Sequence, residues 1–395
     1  YVAEFPSAVY LGYHAPPISK PDNQEAGMSN ELGVLFSPYT LNKLTLANRI
    51  VMAPMTREFS PHGIPGDDVA AYYRRRAEGG TGLIITEGTT IDDPVASMGE
   101  NIPAFHGERA LAGWRHVVEE VHAAGGKIFP QLWHTGIARN PAKMKNSDVP
   151  SASPSGLQAP GKKVSEPLTV KQIESLIAGF ASAAADAQRV GFDGIEIHGA
   201  HGYLIDQFFW EGLNQRTDAF GGSMENRGRF AVEIIKASRA ATGPDFPIVL
   251  RYSQWKQQDF EAKLADTPEQ LEQFLAPLAE AGVDAFHCST RRYWEPEFAG
   301  SDLNLAGWTK KLTGKTAITV GSVGLTADFI GAIAMKESSE TRAIDDLLAR
   351  LDKGEFDLVA VGRALLQDPQ WANKVRDGNV EAIHSFSGDA LASLS

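Results

Sequence analysis

The sequence predicts an α/β fold in which eight parallel strands close into a (β/α)8 barrel of the TIM type. Short apolar runs alternate with amphipathic helical segments, eight such units can be counted, and no change in composition divides them. An open doubly wound sheet is the alternative. That fold would show a G-x-G-x-x-G turn after its first strand, and the sequence has none there.

Each barrel strand is predicted from one short apolar run. The runs cover residues 49–53, 81–86, 127–132, 195–197, 247–252, 284–289, 316–320 and 356–361. Helical spacing of apolar residues predicts helices over 69–78, 109–124, 225–242, 303–312 and 326–351. Capping boxes at 169–172 and 267–270 begin two more helices, and a last helix begins at Asp368 and Pro369.

Two segments fall outside this alternation. Residues 41–48 alternate in polarity and are predicted to form an N-terminal hairpin that plugs the bottom of the barrel. Residues 135–168 form a long excursion after the third strand, dense in Pro, Ser, Gly and Lys. Because this excursion leaves the C-terminal side of the sheet, we expect a lid rather than a disordered segment.

Length and charge limit the classes of partner. The chain has 395 residues, and we interpret 1–30 as an N-terminal extension, either a leader or an appended segment, ahead of a single barrel domain over 31–395. The net charge of −12 argues against nucleic acid and anionic membranes as partners, and no apolar run is long enough to span a bilayer. The single cysteine, Cys288, permits no disulfide framework, so we expect a cytoplasmic protein.

The most informative residues follow the fourth predicted strand. That strand delivers His198, His201 and Tyr203 at its C-terminal end, which is where barrel active sites lie. Two imidazoles can direct N–H donors at an oxygen that gains negative charge, and a tyrosine with an ordinary pKa of about 10 is a protonated donor at neutral pH. Such a group suits the addition of hydrogen across an activated double bond. Three alternatives stay open, namely structural histidines, a zinc site that lacks its further ligands, and a histidine general base.

Strands seven and eight end in residues suited to a phosphate group. Gly321 and Ser322 follow the seventh strand, and Gly362 and Arg363 follow the eighth. Backbone N–H groups and a guanidinium at this position of a barrel favour a phosphate site, although each glycine alone would only indicate a tight turn. Gln131 and Arg251, at two other strand ends, could bind a flat heteroaromatic ring. A phosphate beside such a ring is what flavin mononucleotide (FMN) requires.

Five motifs together give a resemblance to a known family. They are RIVMAPMTR at 49–57, QLWH at 131–134, HGAHGYL at 198–204, FGGSMENR at 220–227 and VGRAL at 361–365. From about residue 35 to about residue 376 the chain resembles the old yellow enzyme family of flavin-dependent ene-reductases. Glycine at position 88, where the family often has alanine, leads us to expect extra room above the flavin.

The resemblance implies FMN as the cofactor and NADPH or NADH as a transient reductant in a ping-pong cycle. It implies the FMN-binding residues Ala53, Pro54, Met55, Thr56, Gly88, Gln131, Arg251, Gly321, Ser322, Gly362 and Arg363. Thr56 would bond the flavin O4, Gln131 the pyrimidine edge, and Arg251 would stabilise the anion near N1. His198 and His201 would hold the substrate carbonyl, with Trp133 also lining the substrate site. Tyr203 would protonate the α-carbon after hydride passes from flavin N5 to the β-carbon.

The resulting hypothesis is an NAD(P)H-dependent ene-reductase that acts on α,β-unsaturated carbonyl or nitro compounds. Its expected partners are a small activated alkene and, in a homo-oligomer, further copies of the chain, with no metal. An alternative is a flavin-bearing protein that binds phenols or carbonyl compounds as a sensor or scavenger with little turnover. A third, weaker alternative is a flavin-free barrel that acts on a phosphorylated metabolite.

Overall fold

The computed structural model describes residues 32–327 and 339–395. The predicted N-terminal extension therefore lies outside the described residues. The strands in chain order are β1 (Tyr39–Leu41), β2 (Leu44–Leu46), β3 (Ile50–Met52), β4 (Leu83–Thr90), β5 (Ile128–Trp133), β6 (Leu157–Ala159), β7 (Lys162–Lys163), β8 (Ile195–His201), β9 (Ile248–Lys256), β10 (Ala285–Ser289), β11 (Thr316–Val320) and β12 (Leu358–Val361). The helices are α1 (Asp67–Glu78), α2 (Glu108–Ala123), α3 (Val170–Val190), α4 (Leu204–Phe209), α5 (Met224–Thr242), α6 (Pro268–Glu280), α7 (Leu305–Thr313), α8 (Asp345–Asp352), α9 (Arg363–Gln367) and α10 (Trp371–Arg376).

Eight of these strands form a closed parallel barrel, which confirms the predicted fold class. The order around the barrel is β3-β4-β5-β8-β9-β10-β11-β12, so each strand pairs with the next barrel strand in the chain and β12 closes on β3. The three strands β4, β8 and β9 continue several residues beyond their predicted ends. Their last residues are polar, and periodicity therefore missed them, but their backbones still pair with neighbouring strands at the barrel mouth.

The helix predicted over 326–351 was wrong in part. Residues 328–338 lie outside the described residues, and 339–344 form β-bridges and irregular chain rather than helix. In this stretch the described helix is α8 alone. The last helix, predicted to begin at Asp368 and Pro369, begins at Trp371 as α10, and the short helix α9 before it was not predicted; Pro369 lies between the two. Proline separates them because it has no N–H to continue a helix.

The N-terminal hairpin closes the barrel from below, as predicted, although it begins at Tyr39. Strands β1 and β2 pair antiparallel, and their Leu41 and Leu46 side chains are buried. Both leucines share one apolar cluster with inward-facing barrel residues such as Leu83 and Ile318. Burial of these two side chains contributes roughly 2 kcal/mol each and keeps water out of the lower barrel.

Inside the barrel, apolar side chains at the bottom give way to polar ones at the top. Because side chains of a strand alternate between its faces, residues two apart point the same way. The inward rows on β5, β9 and β10 therefore run Phe129-Gln131-Trp133, Val249-Arg251-Ser253 and Ala285-His287-Ser289. Register places His287 beside Arg251 and Arg251 beside His198. This alternation brings chemically active side chains of separate strands to one level.

The excursion over 135–168 has structure of its own. It contains two short 3-10 turns and the hairpin of β6 and β7. Arg139 donates to the carbonyls of Asn146 and Val149, and Arg216 donates to the carbonyl of Pro154 at 2.8 Å. The Arg139 bonds lie within the excursion, and the Arg216 bond ties it to the chain after α4; the role of the excursion as a lid stays a prediction.

Among the described residues, no helix is long and apolar enough to cross a membrane.

Helix α3 supplies a direct test of a local sequence signal. The Thr169 hydroxyl accepts from the Gln172 backbone N–H at 3.3 Å, and the Gln172 side chain accepts from the Thr169 N–H at 2.9 Å. We expect Thr169→Ala to lower the free energy of unfolding by about 1 kcal/mol, because one N-terminal N–H loses its acceptor. Urea denaturation followed by circular dichroism would measure it. Thr169→Ser should restore most of the loss, and Lys171→Ala in the same turn should have little effect; equal losses in all three would contradict the capping role.

Candidate active site

The three predicted residues of the fourth barrel strand lie together at the barrel mouth. The ring centroids of His198 and His201 are 5.1 Å apart at 83°, and those of His198 and Tyr203 are 5.2 Å apart. The chain turns sharply here, with φ values of +65° at His201 and +77° at Gly202. The backbone N–H of His201 donates to the Ser253 side-chain hydroxyl at 3.0 Å, and this hydrogen bond holds the turn against β9. The turn is what lets residues three and five positions apart face the same site.

Both histidines are neutral at physiological pH. Burial lowers the pKa of His198 and of His201 well below the usual value of 6.5, and the nearby Arg251 cation lowers them further. A neutral imidazole carries one N–H and one acceptor nitrogen. The Nε2 atom of His201 is bonded to the Ser289 hydroxyl at 2.7 Å, whereas Nδ1 of His198 is buried without a protein partner.

Tyr203 is a buried, protonated phenol. Burial raises its pKa above 10, while a hydrogen bond from the side-chain amide of Gln257, 3.1 Å long, opposes that rise. Its ring packs edge-on against Trp133, with centroids 4.8 Å apart. The hydroxyl therefore keeps its proton at neutral pH, and the Tyr203 ring lies 5.2 Å from the His198 ring between centroids, which makes the phenol available as an acid.

The expected extra room at Gly88 is filled by Trp133. A Cβ atom at Gly88 would overlap the Trp133 indole ring, so glycine is needed for the indole to lie there. The same indole stacks near His198 at 6.0 Å between centroids. The expectation of open space was therefore wrong, because it considered the size of residue 88 without its neighbour on β5.

A buried carboxylate lies below the histidines and organises two other side chains. Glu196 accepts from the amide of Gln131 at 2.8 Å and from Nδ1 of His287 at 2.7 Å. Since the Gln131 Nε2 atom is bound to Glu196, its Oε1 atom is the end left to accept a hydrogen bond from a ligand. Glu196 also offsets the charge of Arg251, whose pKa is lowered by burial. None of these four side chains is exposed by more than 7%.

A second buried ion pair joins the turn to the end of β9. Lys256 Nζ lies 2.6 Å from Asp206, and both side chains are fully buried. The other oxygen of Asp206 accepts from the Gly202 N–H at 2.7 Å. Burial raises the pKa of Asp206, and the adjacent Lys256 cation opposes that rise. Removal of one partner would leave an uncompensated buried charge, so this pair fixes the turn that carries His201 and Tyr203.

The predicted phosphate-binding residues also come together. The Arg363 guanidinium donates to the Ser322 hydroxyl at 3.3 Å, and Gly362 lies beside Met55 and Ala53. Gly321 has a φ of +143°, and a Cβ there would approach the Thr290 carbonyl oxygen to 2.8 Å. Glycine is therefore required where the chain turns after β11.

The segment from Ala53 to Thr56 connects this rim to the rest of the site. Ala53 is buried, Pro54 and Met55 are half-buried, and Thr56 is exposed. The following residues are held by Glu87, whose carboxylate accepts from the backbone N–H groups of residues 57 and 58 at 2.8 and 3.0 Å. Burial raises the pKa of Glu87 to about 7.

The residues present fit an FMN molecule. Nδ1 of His198, Nε of Arg251 and Nε1 of Trp133 are buried atoms without a protein partner, and all lie at the barrel mouth. Buried polar atoms are normally bonded, so such a cluster indicates a polar ligand. The Gln131 acceptor, the Arg251 cation and the rim at Ser322 and Arg363 match a flavin ring with a phosphate tail.

A metal centre finds less support. Within 32–327 and 339–395, no three His, Cys, Asp or Glu side chains are grouped so that they could hold a metal ion.

Several residues of the site were missed by sequence reasoning. They are Glu87, Glu196, Asp206, Lys256, Gln257, His287 and Ser289. Glu196 and His287 had a detectable signal, because a charged or titratable residue inside a short apolar strand has to be paired. Gln257 had none, since its contact with Tyr203 joins the ends of two different strands.

The buried Glu87 makes stability depend on pH. Its pKa is 4.5 in a model peptide and about 7 in the fold. The folded state binds this proton more tightly, so the contribution to stability is complete below pH 4.5 and is lost as the pH rises to about 7. We expect wild type to lose roughly 3 kcal/mol relative to Glu87→Gln between pH 4.5 and 7.5. Urea denaturation of both proteins at several pH values would measure this, and a difference independent of pH would contradict the assignment.

Comparison with known proteins supports one family. Residues 34–381 match the model of the NADH:flavin oxidoreductase / NADH oxidase family. An NADH oxidase of Thermoanaerobacter brockii is 36% identical over 361 residues, 88% of this chain, but the chain spans only 52% of that relative. A protein of Claviceps fusiformis named probable inactive dehydrogenase easA is 34% identical, with 87% of this chain and 88% of the relative covered.

Two solved structures match in fold. Morphinone reductase in complex with tetrahydroNAD superposes with a TM-score of 0.76 and 28% identity, covering 90% of this chain and 93% of that one. Old Yellow Enzyme from Pichia sp. AKU4542 gives a TM-score of 0.74 and 28% identity, covering 91% and 90%. These matches explain why a nicotinamide-reduced flavin suits the site. The chain therefore belongs to the NADH:flavin oxidoreductase / NADH oxidase family, the old yellow enzyme family of oxidoreductases that use FMN with a nicotinamide reductant.

Proposed function

We propose that this protein is an FMN-dependent ene-reductase that reduces the C=C bond of α,β-unsaturated carbonyl or nitro compounds with NAD(P)H. The observation that carries the proposal is a buried group in which the neutral His201 imidazole and the protonated Tyr203 phenol each lie about 5 Å from the neutral His198 imidazole, measured between ring centroids. A carbonyl oxygen needs donors, and the carbon next to it needs an acid. This group supplies both within one small volume.

His198 and His201 would bind the carbonyl or nitro oxygen. Neutral imidazoles suit this role because each can donate one N–H without the cost of a buried cation. The bond from His201 to Ser289 fixes the orientation of one ring, and the Trp133 ring fixes the other. Donors held in place before the reaction stabilise charge on the substrate oxygen with little reorganisation.

Tyr203 would donate its proton to the α-carbon. FMN held at the barrel mouth would supply the hydride chemistry for the β-carbon, with NADPH or NADH as the reductant. One hydride and one proton together saturate the double bond, so the equation balances without a metal or a second reductant. Because burial raises the pKa of Tyr203, the phenol is still protonated at neutral pH when the substrate binds.

We assign the FMN-binding roles to the residues named from the sequence. Arg363 and Ser322, with the backbone at Gly321 and Gly362, would hold the phosphate. Gln131 and Arg251 would bind the pyrimidine side of the ring, and the segment 53–56 would line it. The fixed Gln131 amide and the Arg251 charge support this assignment.

A binding protein with little turnover is the second candidate. One relative carries the name probable inactive dehydrogenase, so family membership alone does not establish catalysis. The buried, protonated Tyr203 beside His198 favours turnover in this chain.

The two half-reactions separate the roles of these residues. We expect Tyr203→Phe to leave reduction by NADPH within about twofold and to slow reoxidation by 2-cyclohexenone about 100-fold, because a positioned general acid contributes on that order. Anaerobic stopped-flow absorbance would measure both rates. Tyr39→Phe is the matched control, since it removes a hydroxyl bonded to Thr316 at the bottom of the barrel. Equal slowing of the two half-reactions in Tyr203→Phe would refute Tyr203 as the proton donor.

A further inference from the structure

Three consecutive residues at the end of β9 and just after it contact the turn that carries His201 and Tyr203. Trp255 stacks on His201 with ring centroids 4.7 Å apart at 27°. Lys256 forms the buried ion pair with Asp206. Gln257 donates from its side-chain amide to the Tyr203 hydroxyl at 3.1 Å. Each residue contacts a different member of the turn, and no family motif in the sequence includes any of them.

The direction of the bond from Gln257 matters for proton transfer. A phenol has one proton to give and oxygen lone pairs that accept. Because an amide N–H of Gln257 occupies a lone pair, the Tyr203 proton is directed to another acceptor. Gln257 is itself fixed to the turn, since its backbone N–H donates to the His201 carbonyl at 3.4 Å. The contact is thus part of the turn rather than a chance approach of a surface side chain.

The same bond acts on the acidity of Tyr203. Donation from Gln257 stabilises the phenolate and lowers the pKa of Tyr203, against the rise caused by burial. The other groups that face this phenol have separate effects. Glu58 raises the pKa of Tyr203. His198 is neutral, and the charge of Lys256 is compensated by Asp206.

We infer that Gln257 is a positioning residue for proton transfer: its amide holds the Tyr203 hydroxyl so that the proton faces the substrate. The inference rests on the proposed role of Tyr203 as the proton donor. Gln257 does not need to touch the substrate, because its effect passes through the phenolic oxygen. Its loss should therefore change only steps in which Tyr203 gives a proton.

The test compares Gln257→Leu with wild type in the FMN-loaded protein. In Gln257→Leu we expect the rate of reduction by NADPH to stay within about twofold of the wild-type rate. Reoxidation by 2-cyclohexenone should be about tenfold slower, because a weaker acid donates its proton more slowly. The fall in reoxidation rate at alkaline pH should move to higher pH. The tyrosinate absorbance that wild type shows and Tyr203→Phe lacks should also move to higher pH. Gln188→Leu, which removes an amide bonded to the remote Thr242 carbonyl, is the matched control.

A second variant and a double variant make the test sharp. Gln257→Glu keeps the side-chain shape but places a hydrogen-bond acceptor beside the Tyr203 hydroxyl, so it should slow reoxidation more than Gln257→Leu. This variant replaces Gln257→Leu in the test if the leucine variant does not retain FMN. In a Tyr203→Phe background, Gln257→Leu should cause no further loss.

Three outcomes would overturn the inference, and they are distinguishable. If Tyr203→Phe reoxidises like wild type, the proton-donor assignment fails and this inference fails with it. If Tyr203→Phe is slow but Gln257→Leu reoxidises and titrates like wild type, or slows reoxidation equally without Tyr203, only the role of Gln257 is refuted.

Discussion

Closure of the barrel is the constraint on which the site depends. Every second side chain of eight strands must lie inside one narrow space, and the lower part of that space is filled by the hairpin leucines and the inward apolar residues. Two residues further along the same strands, the inward positions become Gln131, Arg251 and His287. The active site is thus the upper continuation of the hydrophobic core. Its residues are rigid because each is the next member of a packed row.

Buried polar groups are costly, and this fold compensates most of them with one another. Glu196 binds Gln131 and His287, and Asp206 binds Lys256 and the Gly202 N–H. At the mouth, polar atoms of His198, Arg251 and Trp133 are buried without a protein partner, and so is Nε2 of His287, which lies beside Arg251. The grouping of several such atoms around one barrel mouth is the physical argument for a polar ligand there. The buried charges are thus paired within the protein, while polar atoms at the mouth keep the capacity to bond a ligand.

The sequence predicted what local pattern determines. Eight strands, the closing hairpin, the capping box of α3 and the grouping of His198 with Tyr203 follow from periodicity and from the rule that strand ends meet. The sequence did not predict the contacts between residues of different strands that form when the barrel closes. The Trp133 indole occupies the space expected beside Gly88, β9 continues to Lys256, and Gln257 reaches Tyr203 from a neighbouring strand. The helix predicted over 326–351 failed in 339–344 because apolar spacing does not reveal that the chain there forms bridges to distant residues.

The most direct test of the account is an anaerobic visible spectrum of the purified protein, recorded before and after addition of NADPH and then of 2-cyclohexenone. The account predicts a flavin spectrum that bleaches with NADPH and returns when the enone is added. A protein that bleaches but is not reoxidised by the enone would contradict the reductase assignment and favour a binding role. A colourless protein that cannot be reconstituted with FMN would contradict the assignment of the buried polar atoms at the barrel mouth to a flavin.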